Sequence, residues 1–179
     1  LRSVTEYCEL LRGPDADREL PQLLNVLTTN HTAFFRERHH FDHMREDALP
    51  EMFMRASRGD GKVRIWCAAS TGEEPYSIAA VVHSGQPARN LDVRIAATEI
   101  DTDVLARAEA AEYSREVIDR APADLRGLLQ LEQAARDTVR IGANLRKLLP
   151  FRQLNLVQPW PMSGIFDAML RRNVLISFD

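Results

Sequence analysis

The residues best placed to do chemistry are acidic and sit just after apolar runs. Glu73-Glu74 follow Ile65-Trp66-Cys67-Ala68-Ala69-Ser70-Thr71-Gly72 and precede Pro75-Tyr76-Ser77. Glu99 lies in Ala97-Thr98-Glu99-Ile100-Asp101-Thr102. Neither G-x-G-x-x-G nor G-x-x-x-x-G-K-[ST] occurs, and two carboxylates stand where a phosphate loop wants bare N–H groups or a lysine. Such a turn suits a ligand with positive charge and no phosphate. S-adenosylmethionine, with its ammonium and sulfonium centres, is one. A structural alternative stands beside it, because Thr71-x-x-Glu74 has the spacing of a capping box and Glu73 would complement a helix dipole. Glu99 has two readings as well. Nucleoside-binding α/β folds present a carboxylate to the ribose hydroxyls from that position, but a strand-end acid can also cap the next helix, for which Asp101 is equally placed.

The elements that must position these groups follow from periodicity. Val63 to Cys67 reads as a buried strand and Pro75 as the first position of a helix reaching about His83. Val93, Ile95 and Ala97 form a second strand, followed by a helix over 102–112 with Val104, Leu105 and Ala108 inward. Upstream, a helix is expected to end near residue 12, closed by Gly13-Pro14, and another to start at about Pro21, with Leu20, Leu23, Leu24 and Leu27 on one face. Thr28-Thr29-Asn30-His31-Thr32 breaks that pattern with more hydrogen-bonding groups than a connector needs, and Thr32 is placed to cap a helix carrying Phe34, Phe35, Phe41 and Met44. Residues 46–58 continue as helix with Leu49, Met52, Phe53 and Ala56 inward, and Gly59-Asp60-Gly61 turns into the first strand.

Residues 113–150 interrupt the α/β rhythm: Pro122 to Gln130 reads as helix, with short strands at Thr138–Ile141 and Leu145–Leu149. Arg136, Arg140, Arg146, Lys147 and Arg152 make this region basic, which fits a solvated face or a docking surface for an acidic protein. Phe151–Leu156 and Phe166–Leu170 read as two more strands, ending near Asn155 and Asn173. One crevice would collect Asn30, Thr32, Glu74, Glu99, Asn155 and Asn173. His39, His40 and His43 lack a clear fourth ligand, so they read as hydrogen-bonded imidazoles and no metal is expected.

Composition narrows the class. A chain of 179 residues, 45% hydrophobic and 27% charged, has room for one full core and reads as soluble. A net charge of −3 argues against a nucleic-acid-binding domain. With only Cys8 and Cys67, neither a disulfide framework nor a zinc site is indicated, which fits a reducing cytoplasm. No signal peptide or membrane-spanning run is visible, so no membrane insertion is expected. The chain begins without methionine and stops within apparent structure at Ile176-Ser177-Phe178-Asp179, so a fragment lacking its C-terminal strands is expected.

Together these stretches resemble the chemotaxis receptor methyltransferase (CheR) family. Thr28 to Glu37 resembles its T-x-N-x-T-x-F-F-R-E stretch, and Ala69 to Ser77 its S-T-G-E-E-P-Y-S loop. Ala97-Thr98-Glu99-Ile100-Asp101-Thr102 is similar to its A-T-D-I-D-T, with Leu154-Asn155-Leu156 and Arg172-Asn173-Val174 following in order. The resemblance implies an α/β, class I S-adenosylmethionine-dependent methyltransferase (Rossmann-like) sheet, and methyl-ester formation on glutamate side chains of membrane chemoreceptors. It implies cofactor contacts at Asn30, Thr32, Arg36, Glu74, Glu99, Asn155, Leu156, Arg172 and Asn173. Residues 1–30 would be the tail of an N-terminal helical domain and 31–179 the methyltransferase domain. Residues 113–150 would take the place of a small inserted subdomain, which in some members docks a peptide at the receptor's C-terminus. A glutamate carboxylate, with a pKa near about 4.3, is already an ionised nucleophile, so no general base is required. An arginine would hold it by a charge-assisted bond; Arg36 is the first candidate and Arg172 the second. Three positions depart from the family pattern: Glu99 for Asp, Arg171 for Cys and Ser177 for Tyr. The last two raise the alternative of a catalytically degenerate cofactor-binding or receptor-docking module.

Overall fold

A run of buried side chains on both faces of one strand sets the centre of the molecule. In the computed structural model, which describes residues 3–27, 32–68, 71–87, 91–162 and 164–171, that strand is β1 (Lys62–Ala68). Four helices lead to it: α1 (Val4–Leu10), α2 (Ala16–Leu27), α3 (Arg38–His43) and, after a π-helical turn over Met44–Ala48, α4 (Leu49–Arg58). Then come α5 (Glu73–Gly85), β2 (Asp92–Glu99) and α6 (Thr102–Ala110). A compact excursion holds β3 (Glu112–Ser114), α7 (Arg115–Asp119), α8 (Ala123–Arg126) with a 3-10 turn at Gly127–Leu129, β4 (Glu132–Gln133), β5 (Thr138–Arg140) and α9 (Ala143–Lys147). The described chain closes with β6 (Phe151–Gln153) and β7 (Ala168–Arg171).

The main sheet runs β6-β2-β1-β7, parallel at every pairing, with Lys62 opposite Asp92 and Ala68 opposite Thr98. The order reverses between β1 and β7, so the crevice of this doubly wound arrangement lies at their carboxyl ends. This is the expected α/β, Rossmann-like class. Val63, Ile65 and Cys67 of β1 face the larger core with Ile78, Val81, Val82 and Ile95, while Trp66 and Ala68 meet Leu154 on the other face. Trp66 is wholly buried; its indole N–H donates to the Thr98 hydroxyl at 3.0 Å, and Trp160 and Phe166 pack beside it. Within the excursion, β3-β5-β4 form a small antiparallel sheet, so residues 113–150 do carry one. Its flanking residues Ile118, Leu129, Ile141 and Leu145 belong to the larger core. Among the described residues no helix is long and apolar enough to cross a membrane.

Several sequence expectations are corrected. α2 begins at Ala16, five residues ahead of the expected start at about Pro21. Thr32 caps no helix: α3 starts at Arg38 after Glu37, whose φ of 57° and ψ of 61° are left-handed, while Phe34 and Phe35 precede the helix as buried turn residues. α5 starts at Glu73, two residues before Pro75, because a proline in the first turn removes an N–H that has no partner there anyway. Leu145–Leu149 is not a strand, since α9 covers most of it. The helix after β2 stops at Ala110, where Ala111 turns left-handed and Glu112 opens β3.

Candidate functional site

Each acidic candidate is held by its own local device. After β1 the chain reaches Gly72 at φ 97°, a conformation that favours glycine. A Cβ there would overlap the Tyr113 hydroxyl and lie 3.1 Å from Ala108. The turn delivers Glu73 and Glu74 to the first turn of α5, where carboxylates complement the dipole. The capping box is not formed: Gly72, not Thr71, is the N-cap of α5. Among the described residues Thr71 Oγ1 and Glu73 Oε2 are buried without hydrogen-bond partners, and Glu74 is 6% exposed. Burial pushes the Glu73 carboxyl above its ordinary range, partly offset by the nearby Thr71 hydroxyl and by Arg107.

At the tip of β2 the two readings separate. Asp101 is the cap of α6, its Oδ1 accepting from the amides of Asp103 and Val104, both at 2.9 Å. Glu99 is not a helix cap. Its Oε1 accepts from the amides of Ile100 at 2.8 Å and Asp101 at 3.1 Å, which fixes a buried carboxylate at the strand end. The second oxygen, Oε2, is used by neither bond. On the adjoining strand, Leu154 N–H donates to the Glu99 carbonyl at 2.9 Å and carries the chain into a turn at Asn155, whose Oδ1 accepts from Val157. Leu156 packs against the Trp66 cluster. Glu74, Glu99 and Asn155 thus follow or end three neighbouring strands at the same edge of the sheet.

The segment that carries Thr32 and Arg36 is tied to α5 and to β3. These two residues flank the buried Phe34-Phe35 pair, and the Phe35 N–H donates to Ser77 Oγ at 2.9 Å. Ser77 lies one turn beyond Glu73 and donates to its carbonyl at 2.6 Å. Phe34 meets the Tyr113 ring edge-on at 4.9 Å. Asn30, Arg172 and Asn173 lie outside the described residues. The histidines are arranged as hydrogen-bonding groups: His43 Nδ1 lies 2.8 Å from Asp47 and His40 Nδ1 3.4 Å from Glu37. In the basic region, Arg140 pairs with Glu112 and Arg146 with Glu132, so part of its charge is neutralised internally.

Sequence reasoning missed Ser77 and Tyr113 as parts of this arrangement. Ser77 stood within a motif but read only as a helix residue; Tyr113 had no sequence signal, since its role comes from packing on the Gly72 turn. The donor set is acidic and amide-rich, and Thr71 to Glu74 include no basic side chain. It fits a cationic ligand bearing a sugar diol.

A model of the CheR methyltransferase family, S-adenosylmethionine-binding domain, matches residues 30–179. The chain belongs to the CheR methyltransferase family. S-adenosylmethionine is therefore the cofactor of this domain. The chain is 41% identical to a probable chemotaxis protein methyltransferase of Rhizobium etli, over 100% of this chain and 68% of the relative. It is 39% identical to chemotaxis protein methyltransferase 2 of Pseudomonas aeruginosa, covering 100% of this chain and 63% of that protein. Identity to the chemotaxis protein methyltransferase of Escherichia coli is 36%, over 97% of this chain and 59% of that one. This CheR chain thus spans between 59% and 68% of the lengths of these three relatives.

Proposed function

We propose that this CheR-family chain carries S-adenosylmethionine-dependent methyl transfer to glutamate side chains of chemotaxis receptors in the cytoplasm, forming methyl esters. The observation that supports it most is Glu99: a buried carboxylate with one oxygen fixed by two backbone amides, at the strand tip where a ribose diol would be held. When bound, S-adenosylmethionine supplies an electrophilic methyl group on a sulfonium centre. Glu99 takes the ribose hydroxyls, and Glu74, Asn30, Thr32, Asn155, Leu156, Arg172 and Asn173 make the remaining cofactor contacts. Arg36 holds the receptor carboxylate, with Arg172 as the second candidate, by a charge-assisted bond. Because that carboxylate is already ionised at neutral pH, with a reference pKa near about 4.3, these residues orient groups and need move no proton.

In this reading residues 1–30 are the tail of an N-terminal helical domain and 31–179 the methyltransferase domain, with the receptor approaching over residues 113–150, where a C-terminal receptor peptide would tether. Calorimetric titration with S-adenosylhomocysteine tests the cofactor site. The expected result is saturable one-to-one binding, weakened about tenfold or more by Glu74→Ala or Glu99→Ala through loss of charged hydrogen bonds. A folded chain that binds nothing overturns the assignment. Transfer of labelled methyl groups to receptor cytoplasmic fragments then tests the substrate, and cofactor binding with no transfer overturns the enzymatic half.

A further inference from the structure

We infer that Ser77 is a positioning residue, a hydroxyl latch that holds the Thr32–Arg36 segment in register with the first turn of α5. The inference rests on the reading that Thr32 and Arg36 contact cofactor or substrate.

The Ser77 hydroxyl is wholly buried and engaged on both sides. Its proton goes to the Glu73 carbonyl, one turn back, at 2.6 Å. That bond fixes the hydroxyl rotor and turns a lone pair toward the Phe35 N–H, 2.9 Å away. One atom therefore ties the backbone beside Arg36 to the turn that carries Glu73 and Glu74.

The segment needs such a tie because it is strained. Phe35 has φ 52° and Glu37 φ 57°, so Arg36 stands between two left-handed residues, neither of them glycine. Each is disfavoured relative to an ordinary backbone, and a bulky aromatic is an uncommon occupant of that region. Outlying backbone conformations of this kind persist only where surrounding contacts over-determine them. Three further contacts hold the same stretch. The Phe35 ring packs on Phe41 at 5.5 Å, Phe34 packs on Tyr113, and Arg38 pairs with Asp124 at 2.7 Å. Those three anchor side chains. The Arg36 amide donates within the turn, to the Ala33 carbonyl at 3.3 Å, whereas Ser77 ties the backbone N–H of the residue before Arg36 to α5.

A buried serine that merely satisfies an N–H would contribute to stability alone. A latch has a second consequence: its removal weakens ligand contacts made by Thr32 and Arg36, and leaves those made by Glu99 untouched. Amide hydrogen exchange and S-adenosylhomocysteine titration separate the two. In the wild-type chain without ligand, the Phe35 amide should exchange at least about tenfold more slowly than an open loop amide, as expected of a buried hydrogen bond. In Ser77→Ala that protection should be lost while β1 amides stay within about twofold, since only local opening changes. The same variant should bind S-adenosylhomocysteine about tenfold more weakly, a loss on the scale of one hydrogen bond. In a Thr32→Ala/Arg36→Ala background Ser77→Ala should cost less than about twofold further, whereas in a Glu99→Gln background the full factor should remain. An unprotected Phe35 amide in the wild-type chain overturns the latch without recourse to any variant. An equal loss in all backgrounds, or none in any, overturns its link to binding. A wild-type chain with a protected Phe35 amide and no affinity for S-adenosylhomocysteine sinks the cofactor site and the link with it, and leaves the backbone tie standing.

Discussion

Glu99 and Asp101 are two residues apart, both buried, and do different work. Asp101 satisfies the open amides of α6, so Asp101→Ala should cost about 1–2 kcal/mol of stability, read from urea unfolding, with S-adenosylhomocysteine affinity within about twofold of wild type. Glu99→Gln keeps an oxygen for the Ile100 and Asp101 amides and removes the charge. It should leave the thermal midpoint nearly unchanged while weakening S-adenosylhomocysteine binding about tenfold or more. Glu73 gives a pH signature. Burial raises its folded pKa, so its contribution to stability is complete below the unfolded glutamate value of about 4.3 and is lost as pH rises through the folded value. The stability of Glu73→Gln minus that of wild type should therefore grow with pH above about 4 and level off once the folded carboxyl has ionised, measured by urea unfolding at a series of pH values. A flat difference would show that Glu73 is not held against ionisation.

At the level of elements, what was legible had a periodic signature. Val63 and, beyond Arg64, the apolar run Ile65 to Ala68 marked β1, alternation marked β2, and small residues between β1 and α5 marked the turn that carries Glu73 and Glu74. The α9 error was avoidable: Leu145, Leu148 and Leu149 stand at i, i+3 and i+4, which is helical spacing. The segment from Thr32 to Glu37 was not legible in the same way. Its left-handed turns fall on Phe35 and Glu37, where no glycine announces them, and they exist because distant contacts at Ser77, Tyr113 and Asp124 hold them. Glu99 could be placed at a strand tip from sequence, but its separation from Asp101 in role needed the hydrogen bonds. The Arg38–Asp124 pair is half exposed, so Arg38→Ala should leave the midpoint of chemical denaturation nearly unchanged.

Across the whole molecule the excursion after α6 is part of the main core. Leu129 and Leu145 are wholly buried in the same cluster as Ile78 and Val81 of α5. Leu129→Ala or Leu145→Ala should each cost about 2–5 kcal/mol, and tryptophan fluorescence, which reports Trp66 and the Trp160 packed on it across the sheet from that core, should follow far-ultraviolet circular dichroism in one transition. The excursion also reaches the motif turn through Tyr113. Gly72→Ala combines a left-handed backbone with overpacking and should cost about 2–4 kcal/mol in thermal unfolding; Tyr113→Phe should return part of that. The space beside Gly72 is held jointly by two positions far apart in the chain. A methyl group at the turn is less costly once the phenolic oxygen in the small sheet has gone, so the order in which the two changes arrive sets how much stability an ancestor along that path must have in reserve.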